Sequence, residues 1–135
     1  MKMEAAFNRR MRANRTSGGV GGCRGAIPGI RPDLPHVMEA NLIALRERAP
    51  RSEALRRYND VARLLVGSQR VGAAEGITWV ENLCSHLKIL PLHRYGITAN
   101  DAASIVAAAA KASSMKANPI ELTAEELRGI LERAL

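Results

Sequence analysis

The segment ASSMKANPIELTAEEL, residues 112–127, decides how this chain folds. Small residues end one helix, and Asn118-Pro119 then requires an extended connection because a residue before proline avoids the helical region. Thr123-Ala124-Glu125-Glu126 matches the capping-box pattern, in which the threonine and the glutamate three residues later each accept a hydrogen bond from the other's backbone N–H. The segment therefore predicts two helices joined by a turn that contains proline.

Composition extends the helical prediction to the rest of the chain. The 135 residues are 47% hydrophobic but only 3% aromatic, so the core must consist mainly of aliphatic side chains. Strands favour aromatic and β-branched residues, whereas helices favour alanine and leucine. The length fits one domain. We therefore predict an all-α fold, built as an irregular helical bundle.

Apolar residues recur at helical spacing in five segments of residues 34–135. The predicted helices cover 36–48, 53–66, a segment within 71–90 that Pro91 ends, a segment that begins at a Thr98–Asp101 cap, and the segment after Thr123. The predicted buried stripes are Met38, Leu42 and Leu45; Leu55, Tyr58, Ala62 and Leu65; Ile77, Val80, Leu83, Cys84 and Leu87; Ala102, Ile105, Val106 and Ala109; and Leu127, Ile130 and Leu131.

Residues 1–33 form a basic, glycine-rich arm. They hold seven of the 20 Lys and Arg residues against two acidic residues, so most of the formal charge of +7 belongs to the arm. Few large apolar groups occur there to offset the entropy of ordering, which predicts disorder. The glycines do not match the dinucleotide-binding motif G-x-G-x-x-G, because Arg24 occupies the position of its last glycine. A flexible linker is therefore favoured over a phosphate-binding loop.

The arginines of the arm also suggest a contact with nucleic-acid phosphates. This alternative predicts binding that weakens as salt rises and is lost when residues 1–33 are deleted. Phe7 is the one aromatic residue in the arm, which leaves little to stack on bases. Nucleic acid is therefore the secondary prediction, and a protein partner or self-association is the primary one.

The remaining sequence signals concern the compartment. The two cysteines, Cys23 and Cys84, show no C-x-x-C spacing and predict no disulfide framework. The N-terminus has no apolar core of a signal peptide, and no apolar run is long enough to span a membrane. These features predict a soluble, cytoplasmic protein.

Residues 34–135 resemble the C-terminal part of the iron-containing (group III metal-dependent) alcohol dehydrogenase family. The resemblance rests on LPHVMEAN at 34–41, ITWVENLC at 77–84, LHRYGI at 92–97 and SSMKANP at 113–119, in this order. It implies a two-domain parent. In that parent an α/β domain binds NAD(P), and a helical domain supplies a divalent metal such as iron for interconverting alcohols and aldehydes.

The metal ligands that the resemblance implies are an aspartate and three histidines, the last in a His-Gly step shortly before the PHVME segment. The matching region here, residues 24–31, contains no histidine. We therefore predict no catalytic, cofactor-binding or metal-ligating residue in this chain. The function predicted is that of a truncated helical domain without catalysis of its own; a subunit completed by another polypeptide is a third reading.

The residues in and beside the matched motifs are predicted to be structural. His36 is predicted to be a packed or capping residue. Pro91 separates His86 from His93, so they cannot form the i, i+4 pair that binds a metal on one helix face. Both are therefore predicted to face solvent. The residues of the signature turn, Lys116, Asn118 and Pro119, are predicted to form a structural connector. Trp79 is predicted to be a packing anchor.

Overall fold

The computed structural model describes residues 31–135, which form five α-helices, three short 3-10 helices and no strand. The all-α prediction is confirmed. The α-helices are α1 (Leu34–Arg48), α2 (Glu53–Val66), α3 (Ala73–His86), α4 (Ala102–Ala110) and α5 (Ala124–Ala134), and the 3-10 helices are Leu92–Tyr95, Ala99–Asp101 and Ser113–Ala117. The predicted arm lies outside the described residues, apart from its last three.

Helix α1 is the central element of the bundle. It packs against α2, α3 and α5, while α2 packs closely along α3 and α4 packs against α5. Predicted stripe residues from all five helices enter the core. Nine of them are only partly buried: Met38, Leu55, Tyr58, Leu65, Leu83, Cys84, Leu87, Ile105 and Ala109. Most of the buried hydrophobic residues form three clusters: Ala44, Val106, Leu122, Leu127 and Ile130; Leu92, Ile97, Ala102, Leu131 and Ala134; and Leu42, Ala73 and Ile77.

The contact between α2 and α3 depends on two small residues. A Cβ atom placed on Gly76 would lie 2.6 Å from the Cβ atom of Ala62 and 2.9 Å from its Cα atom, so glycine is what allows this approach. Asn59 of α2 strengthens the same contact, because its Oδ1 accepts a hydrogen bond of 2.9 Å from the N–H of Ala73 at the start of α3.

Helix α3 ends earlier than its sequence predicts. We expected Pro91 to end it, but its last residue is His86. Lys88 has a left-handed backbone with φ of 53°. The N–H of Ile89 donates to the C=O of Cys84 at 3.0 Å, and the N–H of Lys88 donates to the C=O of Ser85 at 3.1 Å. This is the Schellman pattern, with lysine where glycine is usual, and it accounts for the missed boundary.

The predicted helix starts are largely confirmed. Thr123 and Glu126 form the reciprocal cap, with Thr123 Oγ1 accepting from Glu126 N at 3.2 Å and a Glu126 carboxylate oxygen accepting from Thr123 N at 2.6 Å. At Thr98 the carboxylate of Asp101 accepts from both the backbone N–H and the hydroxyl, each at 2.9 Å. The helix begins there with a 3-10 turn before α4.

A side chain from α1 joins the cap of α5. Arg48 Nη2 donates to the carbonyl of Glu121 at 3.0 Å and to the carboxylate of Glu126 at 3.1 Å. The Glu126 carboxylate that caps Thr123 therefore also anchors the end of the first helix.

Candidate functional site

The signature turn and helix α2 border an open groove of about 420 Å³. Ala117 and Pro119 form one wall, and the other lining residues are Met38 of α1 with Glu53, Ala54, Arg57, Tyr58 and Val61 of α2. Lys116 is exposed beside this wall without lining the groove. The predicted connector is thus also a surface-forming segment.

A buried amide pair holds the signature turn in place. Asn41, which is 2% exposed, donates to Asn118 Oδ1 at 2.9 Å, and Asn118 donates back to Asn41 Oδ1 at 2.7 Å. Asn118 also donates to the carbonyl of Ile120 at 2.6 Å, and its backbone is extended with ψ of 140°. These bonds fit the predicted structural role of the residue before proline.

Tyr58 connects this amide pair to the groove. Its hydroxyl accepts a hydrogen bond of 3.2 Å from Asn41 Nδ2, so one network spans α1, α2 and the turn. Burial raises the pKa of Tyr58, and the bond from Asn41 opposes that rise only in part. The phenol is therefore neutral at physiological pH and retains its proton as a hydrogen-bond donor.

The charged residues of the groove neutralise each other. Arg57 donates to Glu53 at 2.9 Å, and this hydrogen bond, with the charge of the guanidinium, holds the pKa of Glu53 below its usual value. The groove therefore offers apolar contacts, one phenol and a closed ion pair. This lining suits binding of an apolar group better than acid–base chemistry, since a general base needs a pKa near the working pH.

The three histidines lie on different elements, and each contacts its own chain. His36 Nδ1 lies 3.3 Å from Arg133 Nη2, and His86 Nδ1 lies 2.8 Å from the carbonyl of Asn82. His93 Nδ1 contacts the carbonyl of Leu135. His86 and His93 are exposed, as expected, while His36 is partly buried.

The metal site that the resemblance implies does not fit the residues described. Between residues 31 and 135 no group of three or more His, Cys, Asp or Glu side chains is arranged to hold a metal ion. Cys84 is half-buried, and burial raises the pKa of its thiol, which keeps it protonated and weakly nucleophilic. Cys23 and the region matched to the family's His-Gly step, residues 24–31, lie almost wholly outside the described residues.

Trp79, predicted to be a packing anchor, buries only part of its surface. The residue is 38% exposed, whereas the buried residues of α3 are Ala73, Gly76, Ile77 and Val80. Trp79 lies three residues after the buried Gly76 but only two after the buried Ile77, and on a helix these spacings place it at the margin of the buried stripe.

Sequence reasoning overlooked Asn41, the central residue of the buried network. Asn41 lies three residues after Met38 and four before Leu45, so it falls on the apolar stripe of α1. An asparagine at such a position needs a partner, because an unbonded amide in a core costs free energy. That signal was available within the LPHVMEAN match, and the structure identifies the partner as Asn118.

Comparison with known proteins agrees with the fold and with the matched motifs. The model of the Fe-containing alcohol dehydrogenase family, C-terminal, matches residues 32–135. No curated protein and no solved structure gives a match. The match covers more than half of the sequence and all five α-helices. The chain thus belongs to the iron-containing alcohol dehydrogenase family, through its C-terminal helical domain.

Proposed function

We propose that this domain is the helical half of an NAD(P)-dependent alcohol dehydrogenase and that this chain does not interconvert alcohols and aldehydes unaided. The reaction needs a metal that polarises the carbonyl and a fold that holds the nicotinamide against it. The family match supplies the helical half of such an arrangement. Metal dependence would then be a property of a complete two-domain enzyme, acting in the cytoplasm.

The separation of the three histidines carries this proposal. His36 lies in the first turn of α1, His86 at the end of α3 and His93 in a 3-10 helix. Each imidazole has a contact within the chain, to Arg133, Asn82 and Leu135 respectively. A catalytic metal centre instead requires about three protein ligands that converge on one point.

The experiment is an assay of the purified chain with NAD or NADP, a panel of short alcohols and added Fe²⁺, Zn²⁺ or Mn²⁺. We expect no nicotinamide reduction above the rate without protein, while circular dichroism shows helical structure. In a parallel sample, the dinucleotide-binding half of a family member is added to test for complementation. Metal-dependent reduction by the chain alone would overturn the proposal.

We also propose that the domain associates with itself or with a complementary chain. Large apolar side chains lie at the surface, with Leu64 82% exposed and Ile43 and Val61 each 45% exposed. Exposed apolar groups of this size favour association when they form a patch. Light scattering over a range of concentrations tests this, and a strictly monomeric species at high concentration would contradict it.

A further inference from the structure

One guanidinium connects the last turn of α5 to the first two turns of α1. Arg133 donates to the carboxylate of Glu39, and its Nη2 also lies 3.3 Å from His36 Nδ1. A guanidinium has donors only, so His36 Nδ1 must act as the acceptor. The imidazole in this contact is therefore neutral, with its proton on Nε2.

Charged groups from three parts of the fold act on His36. Arg133 of α5 disfavours a positive imidazole, whereas Glu81 of α3 and Asp33, just before α1, favour it. Partial burial is the largest influence and also disfavours the charged form. Together, burial first and Arg133 second, these effects hold the pKa of His36 below its ordinary value of 6.5.

We propose that His36 is a proton-sensitive latch, whose protonation at Nδ1 removes one of the two acceptors through which Arg133 binds α1 and so loosens the last turn of α5. The protonated ring also places a second positive charge beside the guanidinium. Glu39 keeps its ion pair with Arg133, so the loosening is local and α5 remains in the bundle.

The direction of the pH effect follows from proton binding. The pKa of His36 is lower in the folded chain than in the unfolded chain, so just below pH 6.5 the unfolded state binds more protons. Stability from this residue is complete above that pH and is lost as the pH falls through the folded pKa. Acid therefore opens the latch, and neutral pH closes it.

The test compares hydrogen exchange of amides 131–134 in the full-length chain above and below pH 6.5, with protection corrected for intrinsic exchange. Protection in the wild type is expected to fall about two- to fivefold on acidification, because the contact with Arg133 is exposed and exposed charged contacts contribute little. The His36→Gln variant retains a hydrogen-bond acceptor at this position but has no group that titrates. The protection of amides 131–134 in this variant should therefore not change with pH.

His93→Gln is the matched control, because His93 contacts Leu135 at the same end of α5. The latch requires the pH dependence to persist in His93→Gln and to vanish in His36→Gln; the reverse pattern, or no pH dependence in the wild type, would refute it. Imidazole nitrogen chemical shifts of the wild type provide a second measurement that needs no variant. A His36 midpoint at or above 6.5 would also refute the latch.

Discussion

Replacing Gly76 by alanine should destabilise the bundle, although alanine is the better helix former. The new Cβ atom would lie 2.6 Å from Ala62 Cβ and 2.9 Å from Ala62 Cα, and one of these neighbours is backbone. Carbon atoms pack at about 3.5–4.0 Å, so α2 and α3 must separate by roughly 1 Å. Such overpacking costs about 1–3 kcal/mol, and the gain in helix propensity returns up to about 1 kcal/mol.

The expected net loss is therefore about 1 kcal/mol in the free energy of unfolding, within a range of about 0–2 kcal/mol. Urea unfolding followed by circular dichroism measures it. Gly129→Ala in α5 is the matched control, since no atom lies within 4 Å of its added Cβ, and it should stabilise by about 0.5–1 kcal/mol. If Gly76→Ala proves at least as stable as the wild type, the close approach of α2 and α3 is not as described.

Two further substitutions test the polar contacts by the same method. Asn41→Ala removes its bonds to Asn118 and Tyr58 and should cost about 2–4 kcal/mol, whereas the exposed Asn82→Ala should change stability by less than about 0.5 kcal/mol; similar losses in both would contradict the buried network. Thr123→Ala removes the cap of α5 and should cost about 1 kcal/mol, and an unchanged unfolding midpoint would show that the cap contributes nothing.

Local signals predicted most of the fold. The end of α2 at Gly67, the cap at Thr123 and the extended Asn118 each depend on a residue and its immediate neighbours. The end of α3 was missed because Lys88 adopts a left-handed conformation that the sequence does not announce. Glycine is the usual residue at this position, and a lysine there gives no sequence signal that the helix ends.

The candidate site was harder to predict because it depends on contacts between distant segments. Asn41 and Asn118 are 77 residues apart, and Arg133 reaches His36 across 97 residues. The motifs identified these segments as family matches, but spacing along a chain cannot show which polar groups meet. Gly76 is similar, because its requirement for no side chain arises from Ala62 on another helix.

The shared carboxylate of Glu126 has a consequence for the order in which structure forms. The same group closes the first turn of α5 and receives Arg48 from the end of α1. A peptide covering residues 121–135 alone can form the first of these bonds but lacks the second. The last helix therefore nucleates more readily once the first helix is docked against it. Formation of the Thr123–Glu126 cap and formation of the distant Arg48–Glu126 contact are in this way cooperative.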